Sequence, residues 1–421
     1  MNAPDGPAPD VVVIGAGLAG LRCATDLVAG GADVTVFEAR DRVGGRVWTH
    51  RFTDGQVAER GAEFIDGNHS DVLALAADLG LALTDRPTAL DPRATLVDAA
   101  GRAVPYHLHA SLADDWARWE AALAAMRPTD EFDHLTLQDA IDGLGASAMS
   151  RLVIGREVRT EFMLPPDQVS QRFAAQVASN QVAASRERHR VVGGNDQLAK
   201  GLAERLGIRV RLNTTVRSLA TDGTVVLASG EFLRPAAVVA AVSLPVLGRL
   251  WPQMPPELSA VSYGIGGKIS VQFRRRIWLD YGRNGSVLSD RQWGHLWETT
   301  DDQRGDAGVL TDLLASHDGA SFVSLPESED QLLREIDRLF PGAKGLAGER
   351  VRTDWTDDRY ALGCYTCFGP GQWAAAQPQL HTAHGRLWIA GEHADGFAGF
   401  MEGALRSGAR VAAAVAASIT R

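Results

Sequence analysis

The stretch 11–46, VVVIGAGLAGLRCATDLVAGGADVTVFEARDRVGGR, constrains this 421-residue chain more than any other. Val11–Ile14 is a short β-branched apolar run, the pattern of a buried strand. Gly15, Gly17 and Gly20 follow at G-x-G-x-x-G spacing and open an amphipathic helix that carries Leu18, Leu21, Ala24 and Leu27. Val34–Phe37 predicts a second strand, closed by Glu38. Each residue type has a mechanical reason. The first glycine allows a tight turn, the second lets backbone approach a pyrophosphate, and the third lets helix pack close on strand. The helix N-terminus offers unpaired N–H groups and the positive end of its dipole to phosphate. Glu38 follows at the distance where an acid accepts hydrogen bonds from ribose hydroxyls. Strand, helix, second strand and acid arrive in register, so a bound dinucleotide is expected.

NAD and FAD remain open on that pattern alone. The run RDRVGGR at 40–46 then resembles the extension found in the FAD-binding amine oxidase superfamily. The resemblance implies that Ala19, Ala39 and Arg40 border the cofactor. It also implies that Gly44, Gly45 and Arg46 line the flavin side of the pyrophosphate.

Length bounds the rest. A chain of 421 residues exceeds one compact core and suggests two domains, interleaved in sequence. The formal charge of −10 argues against nucleic acid or an anionic membrane as partner and suits the attraction of cationic small molecules. Three cysteines (Cys23, Cys364, Cys367) make a disulfide framework unexpected and fit a reducing cytoplasm. The start, MNAPDGPAPD, reads as a disordered acidic lead-in. No window holds the roughly 18 apolar residues a membrane span needs.

Past Arg46, Asp54-Gly55 predicts a hairpin turn, and Ser70 reads as the cap of a helix ended at Gly80. The segment ERGAEFIDG resembles the flavin-contacting loop of amine and polyamine oxidases. That likeness places Gly61, Ala62 and Glu63 beside the isoalloxazine, and Asp66 where some polyamine oxidases receive a substrate ammonium. Residues 81–190 turn alanine-rich and helical, with Ser111/Asp114 and Thr136/Asp139 as capping pairs. Trp116, Trp119 and Leu123 form a stripe at helical spacing that reads as core. Arg186, Arg188, His189 and Arg190 read as a solvated face.

From 191 onward alternating strands return, and the resemblance sets the Val216 backbone against the adenine. The segment SYGIGGKISVQFRRRIW predicts a strand, with Arg274–Arg276 exposed at its end. Within it Lys268 stands between glycines and a β-branched run, where a long charged side chain is unexpected if the strand is buried. Family members carry such a lysine to hold a water near the flavin's reactive ring nitrogen. Residues 281–350 give no chemical signal.

The third flavin segment begins near Trp355. Cys364, Cys367, His381 and His384 miss zinc-finger spacing by one residue and sit among glycine and aromatics, so no metal is expected. Gly363-Cys364-Tyr365 resembles the site where monoamine oxidases tether flavin through a thioether, though many relatives bind FAD without a bond. The run AGEH resembles polyamine oxidases, and GFMEGA resembles the GYMEGA of monoamine oxidases. Gly391, Glu392 and Met401 would contact the flavin, and Tyr365 and Phe400 would form two walls of an aromatic cage that steers an amine nitrogen.

The expected fold is α/β: a Rossmann-like FAD-binding domain of the glutathione-reductase type, with an inserted α+β substrate domain holding an antiparallel sheet. The FAD-binding domain takes 1–80, 190–257 and 358–421; the substrate domain takes 81–189 and 258–357. The expected activity is an FAD-dependent oxidase that removes hydride from the carbon next to an amine. The imine then hydrolyses and oxygen becomes hydrogen peroxide. An L-amino-acid oxidase and a C–C desaturase or tailoring oxidase are the alternatives. The resemblance also allows a homodimer.

Overall fold

A computed structural model describes residues 9–85, 95–99, 101–108, 111–181 and 187–419; the lead-in 1–8 and Arg186 lie outside the described residues. A five-stranded parallel sheet runs in the order Leu387–Ile389, Ala237–Ala240, Val11–Ile14, Val34–Phe37, Val210–Arg211. The first strand is central, with Val11 paired to Val34 on one side and Ala237 on the other. Its residues alternate between two cores, as the strand period of two requires. Val11 and Val13 pack under helices Leu18–Ala29, Asp196–Leu206 and Met401–Ile419. Val12 and Ile14 face a three-stranded sheet, Val216–Leu219, Val225–Leu227 and Phe232–Leu233. A parallel sheet covered on both faces accounts for near-continuous apolar strands.

A second sheet has seven strands in the order Ala347–Asp354, Gly266–Phe273, Gly308–Ala315, His295–Glu298, Val287–Ser289, Leu96–Ala99, Arg102–Pro105. It is antiparallel except where Val287–Ser289 meets Leu96–Ala99 in parallel. Ile269, Val271, Leu310 and Leu314 bury one face in a core shared with Phe322, Leu332 and Ile336 of helices Ser316–Val323 and Ser328–Leu339. Lys268, Leu313, His295 and Trp297 occupy the opposite face and line a cavity.

Several local expectations hold. Gly55 turns the hairpin between Thr49–Arg51 and Val57–Glu59 with φ of 91°. Thr136 and Asp139 form a reciprocal capping box. Trp119 is buried, with Trp116 and Leu123 packed beside it. Others fail for reasons of long-range contact. Ser70 does not cap its helix; the first-turn N–H groups of Asp71 and Val72 are met by the Glu402 carboxylate from the last helix. Ser111 makes no capping bond, and its hydroxyl donates to Ser147. The stretch expected to be helical contains the hairpin of Leu96–Ala99 and Arg102–Pro105, which is formed by edge pairing to a sheet far ahead in sequence.

Candidate active site

The strand-to-helix turn is built by its glycines. Gly15 takes φ of 100°, and a Cβ there would lie 2.6 Å from the Ala241 carbonyl oxygen. A Cβ on Gly20 would lie 2.0 Å from the Gly15 oxygen, whereas one on Gly17 would meet open space. Glu38 is buried, and its carboxylate accepts from the Ala16 N–H at 2.8 Å and the Arg40 N–H at 2.9 Å. A carboxylate has about four lone-pair sites, so acceptor capacity remains for a hydroxyl pair.

From this turn a cavity of about 1070 Å³ extends to the face of the seven-stranded sheet. It is bordered at one end by Gly15, Gly17, Ala19, Glu38, Ala39, Arg40 and Val216. Gly44, Gly45, Arg46, Gly61, Ala62, Glu63, Cys364, Gly391, Glu392 and Met401 follow, and Asp66, Lys268, Trp355, Tyr365 and Phe400 complete the wall. Gly20 alone of the residues singled out from sequence is absent from the lining; it serves helix packing instead.

The middle of the cavity is held by charge. Arg46 donates to the Cys364 carbonyl at 2.9 Å and to Glu392 at 3.0 Å. Glu392 also accepts from the Gly399 N–H at 2.7 Å and the Thr366 hydroxyl at 3.0 Å, and the Arg46 guanidinium helps hold its carboxyl below the usual range despite burial. Gly61 leaves no room for a side chain, since a Cβ would sit 1.9 Å from the Arg46 oxygen. Trp355 is buried and donates its indole N–H to the Arg60 carbonyl at 2.9 Å.

At the far end Lys268 is buried in its strand, and its Nζ donates to Glu63 at 2.7 Å and to the Gly61 carbonyl at 3.0 Å. Tyr365 is fixed by its hydroxyl, which donates to the Glu161 carbonyl at 2.8 Å, and its ring lies against Gly399. Phe400 is next in the chain and packs edge-on to His69 at 5.5 Å. Asp66 is buried and accepts from the Glu187 N–H at 2.7 Å. The wall also carries Glu157, Glu161, Glu187 and Asp301, so this end of the cavity is rich in carboxylates.

Sequence reading missed five residues of this neighbourhood. Arg190 is not on a solvated face: it is buried and pairs with Glu63 at 2.8 Å, Asp301 at 3.0 Å and Asp302 at 3.0 Å. Trp297 and Thr299 come from the stretch that gave no chemical signal. Arg276 was expected to be exposed, yet it is half-buried on Glu298 at 2.5 Å. His69 is the fifth. No cluster among the described residues could hold a metal ion, and His381 and His384 turn their rings to the Ala394 and Gln379 carbonyls.

Two buried histidines carry a pH dependence. Burial pushes His69 and His393 from 6.5 down to about 4, so the unfolded chain binds more protons below pH 6.5 and stability falls on acidification. Glu59, pushed up from 4.5 to about 7 by burial, works oppositely and gains stability as pH falls through that window. Asp312, which burial holds well above its usual range, works in the same sense as Glu59, so these buried groups oppose one another.

The residues fit FAD. Gly17 opens space where a phosphate approaches, Glu38 keeps acceptor capacity, and the cavity has the size of a site for a large ligand. The profile of the flavin containing amine oxidoreductases matches residues 18–416. The chain belongs to that family. A Mycobacterium tuberculosis protein assigned as a flavin-containing monoamine oxidase is 31% identical, over 97% of this chain and 96% of its own. The flavin-containing amine oxidase B of Sus scrofa is 25% identical over 96% of this chain and 85% of its own. Among solved structures, the cyclohexylamine oxidase of Brevibacterium oxydans superposes with a TM-score of 0.85 at 24% identity, covering 99% of this chain and 100% of that one. A putrescine oxidase bound to putrescine gives 0.85 at 22% identity, covering 97% and 99%. The fold of these amine oxidases, a Rossmann-type FAD-binding layer with a substrate-binding sheet, is the fold of this chain. It is an FAD-dependent oxidoreductase acting on amines. Among the described residues no helix is long and apolar enough to cross a membrane.

Proposed function

We propose that this protein oxidises small primary or secondary amines at the Lys268 end of the cavity, between Tyr365 and Phe400. The observation that carries the reading is the continuity of the cavity from the Glu38 turn to these three residues. When bound, FAD takes a hydride from the carbon next to an unprotonated amine nitrogen and passes the electron pair to oxygen. Amine, oxygen and water thereby yield aldehyde or ketone, ammonia or a smaller amine, and hydrogen peroxide. The protein supplies binding, orientation and charge. Tyr365 and Phe400 steer the nitrogen by shape and π-face attraction. Lys268 holds a water beside the reactive edge, and Asp66 receives an ammonium.

Electrostatics favours amines over amino acids. Arg190, 5.0 Å from the Phe64 ring, is committed to Glu63, Asp301 and Asp302 rather than offered to a substrate carboxylate. The cyclohexylamine and putrescine oxidases of the same fold make a cyclic monoamine and a diamine the first substrates to try. Hydrogen peroxide release from monoamines, diamines, polyamines and L-amino acids tests the reading. Turnover of simple amines is expected; turnover of amino acids alone, or of none, would overturn it.

The chain division that supports this has FAD-binding segments 1–80, 190–257 and 358–421, with 81–189 and 258–357 forming the substrate domain. A cytoplasmic location fits the three free, buried cysteines. We further infer that FAD is held without a covalent bond. The Cys364 thiol lines the cavity, but burial pushes it up to about 12, which keeps it protonated and a poor nucleophile. Acid precipitation of the holoenzyme is expected to leave the yellow colour in the supernatant; colour in the pellet would show a tether at Cys364.

A further inference from the structure

Glu63 sits under the reacting end of the cavity, and one buried carboxylate collects four donors there. Its Oε2 accepts from Lys268 Nζ at 2.7 Å. Its Oε1 accepts from Arg190 at 2.8 Å, Thr299 at 2.6 Å and the Trp297 indole at 3.2 Å. These donors come from separated parts of the chain: one strand of the second sheet carries Lys268, the next strand but one and its end carry Trp297 and Thr299, and Arg190 precedes the helix Asp196–Leu206. Burial alone would raise this carboxyl, and the Lys268 and Arg190 cations hold it below its usual range.

We propose that Glu63 is a positioning residue that fixes the Lys268 ammonium in the cavity, with Arg190 and Thr299 fixing Glu63 in turn. The inference rests on the reading that Lys268 serves the reaction. Five considerations carry it. The lysine stem is long and flexible, with about 2 kcal/mol of rotamer entropy, so its head has no fixed place without an anchor. The other acceptors of Nζ are the neutral Glu59 and Gly61 carbonyls, at 3.4 and 3.0 Å, and among the described residues Glu63 is the one anion within hydrogen-bond reach of it. A buried ammonium needs an opposite charge to offset its lost hydration. Glu63 cannot swing away to another partner, because Arg190 is itself bound to Asp301 and Asp302. The same carboxylate pins Trp297, whose ring lies 5.4 Å from Nζ, so lysine and cavity wall are set together.

The test is a double-mutant cycle on FAD-loaded enzyme with Glu63→Gln, Lys268→Met and the pair. The amide keeps the shape of Glu63 and removes its charge. Two readouts are taken: the rate at which reduced enzyme is reoxidised by oxygen, and the visible circular dichroism of the oxidised holoenzyme. Glu63→Gln is expected to slow reoxidation about 10- to 100-fold, the cost of misplacing a working group. On the Lys268→Met background it should add less than about twofold, because residues acting through one contact are not additive. Both single variants should shift the dichroism alike. A Glu63→Gln rate within about twofold of wild type, or its full factor reappearing on Lys268→Met, would overturn the proposal. Should Glu63→Gln fail to retain FAD, Thr299→Val removes one Oε1 donor and must show a smaller slowing with the same loss on Lys268→Met; a multiplicative effect overturns the proposal. Unchanged reoxidation in Lys268→Met alone would sink the lysine's role and this inference with it. A slow Lys268→Met beside a normal Glu63→Gln would sink this inference only.

Discussion

Lys268→Met is expected to keep its FAD and lose roughly 100-fold or more in oxygen-dependent turnover, while anaerobic bleaching by amine changes far less. The physical reason is preorganisation. A buried cation fixed in place stabilises negative charge developing on oxygen with no reorganisation, and a single such contact is worth about 10²–10³ in rate. Lys268 meets the requirement: it is buried, anchored at 2.7 Å on Glu63, and placed on the cavity face of its strand between Gly267 and the β-branched Ile269. Methionine keeps the length of the side chain and removes its charge. Equal loss in both half-reactions would show that the variant damages the cavity as a whole, and no loss in either would remove Lys268 from the chemistry.

Glu38→Ala is expected to purify largely without FAD. The carboxylate already ties the Ala16 and Arg40 N–H groups, and we assign its remaining capacity to the ribose of FAD. A hydrogen bond to a charged group contributes about 1.5–3 kcal/mol, so losing one amounts to roughly 10- to 150-fold in affinity. Equilibrium titration of apoenzyme with FAD measures it. Wild-type affinity would mean that the glycine turn holds the cofactor without its acid.

How much of this was legible in the sequence follows from range. The Val11–Ile14 strand, its glycine turn and Glu38 are local, so period and spacing exposed them. Lys268 stood out as a charge in an apolar strand, a contradiction visible in one dimension. Arg190 carried no such mark. In sequence it sits among charges, and only folding brings it to Glu63, 127 residues away, and to Asp301 and Asp302. Trp297 and Thr299 were invisible for the same reason: a tryptophan in a strand is ordinary until its indole finds Glu63. Ser70 shows the converse, since a good local cap lost its place to Glu402, a residue 331 positions from the Asp71 N–H it accepts.

The most direct test of the central claim, that one cavity joins an FAD cradle to an amine-oxidising wall, is anaerobic mixing of the yellow holoenzyme with a small amine, then oxygen. The colour is expected to bleach with the amine and return with oxygen, releasing one hydrogen peroxide per amine consumed. A protein that takes up no FAD, or a holoenzyme that no amine bleaches while an amino acid or a C–C substrate does, would contradict it.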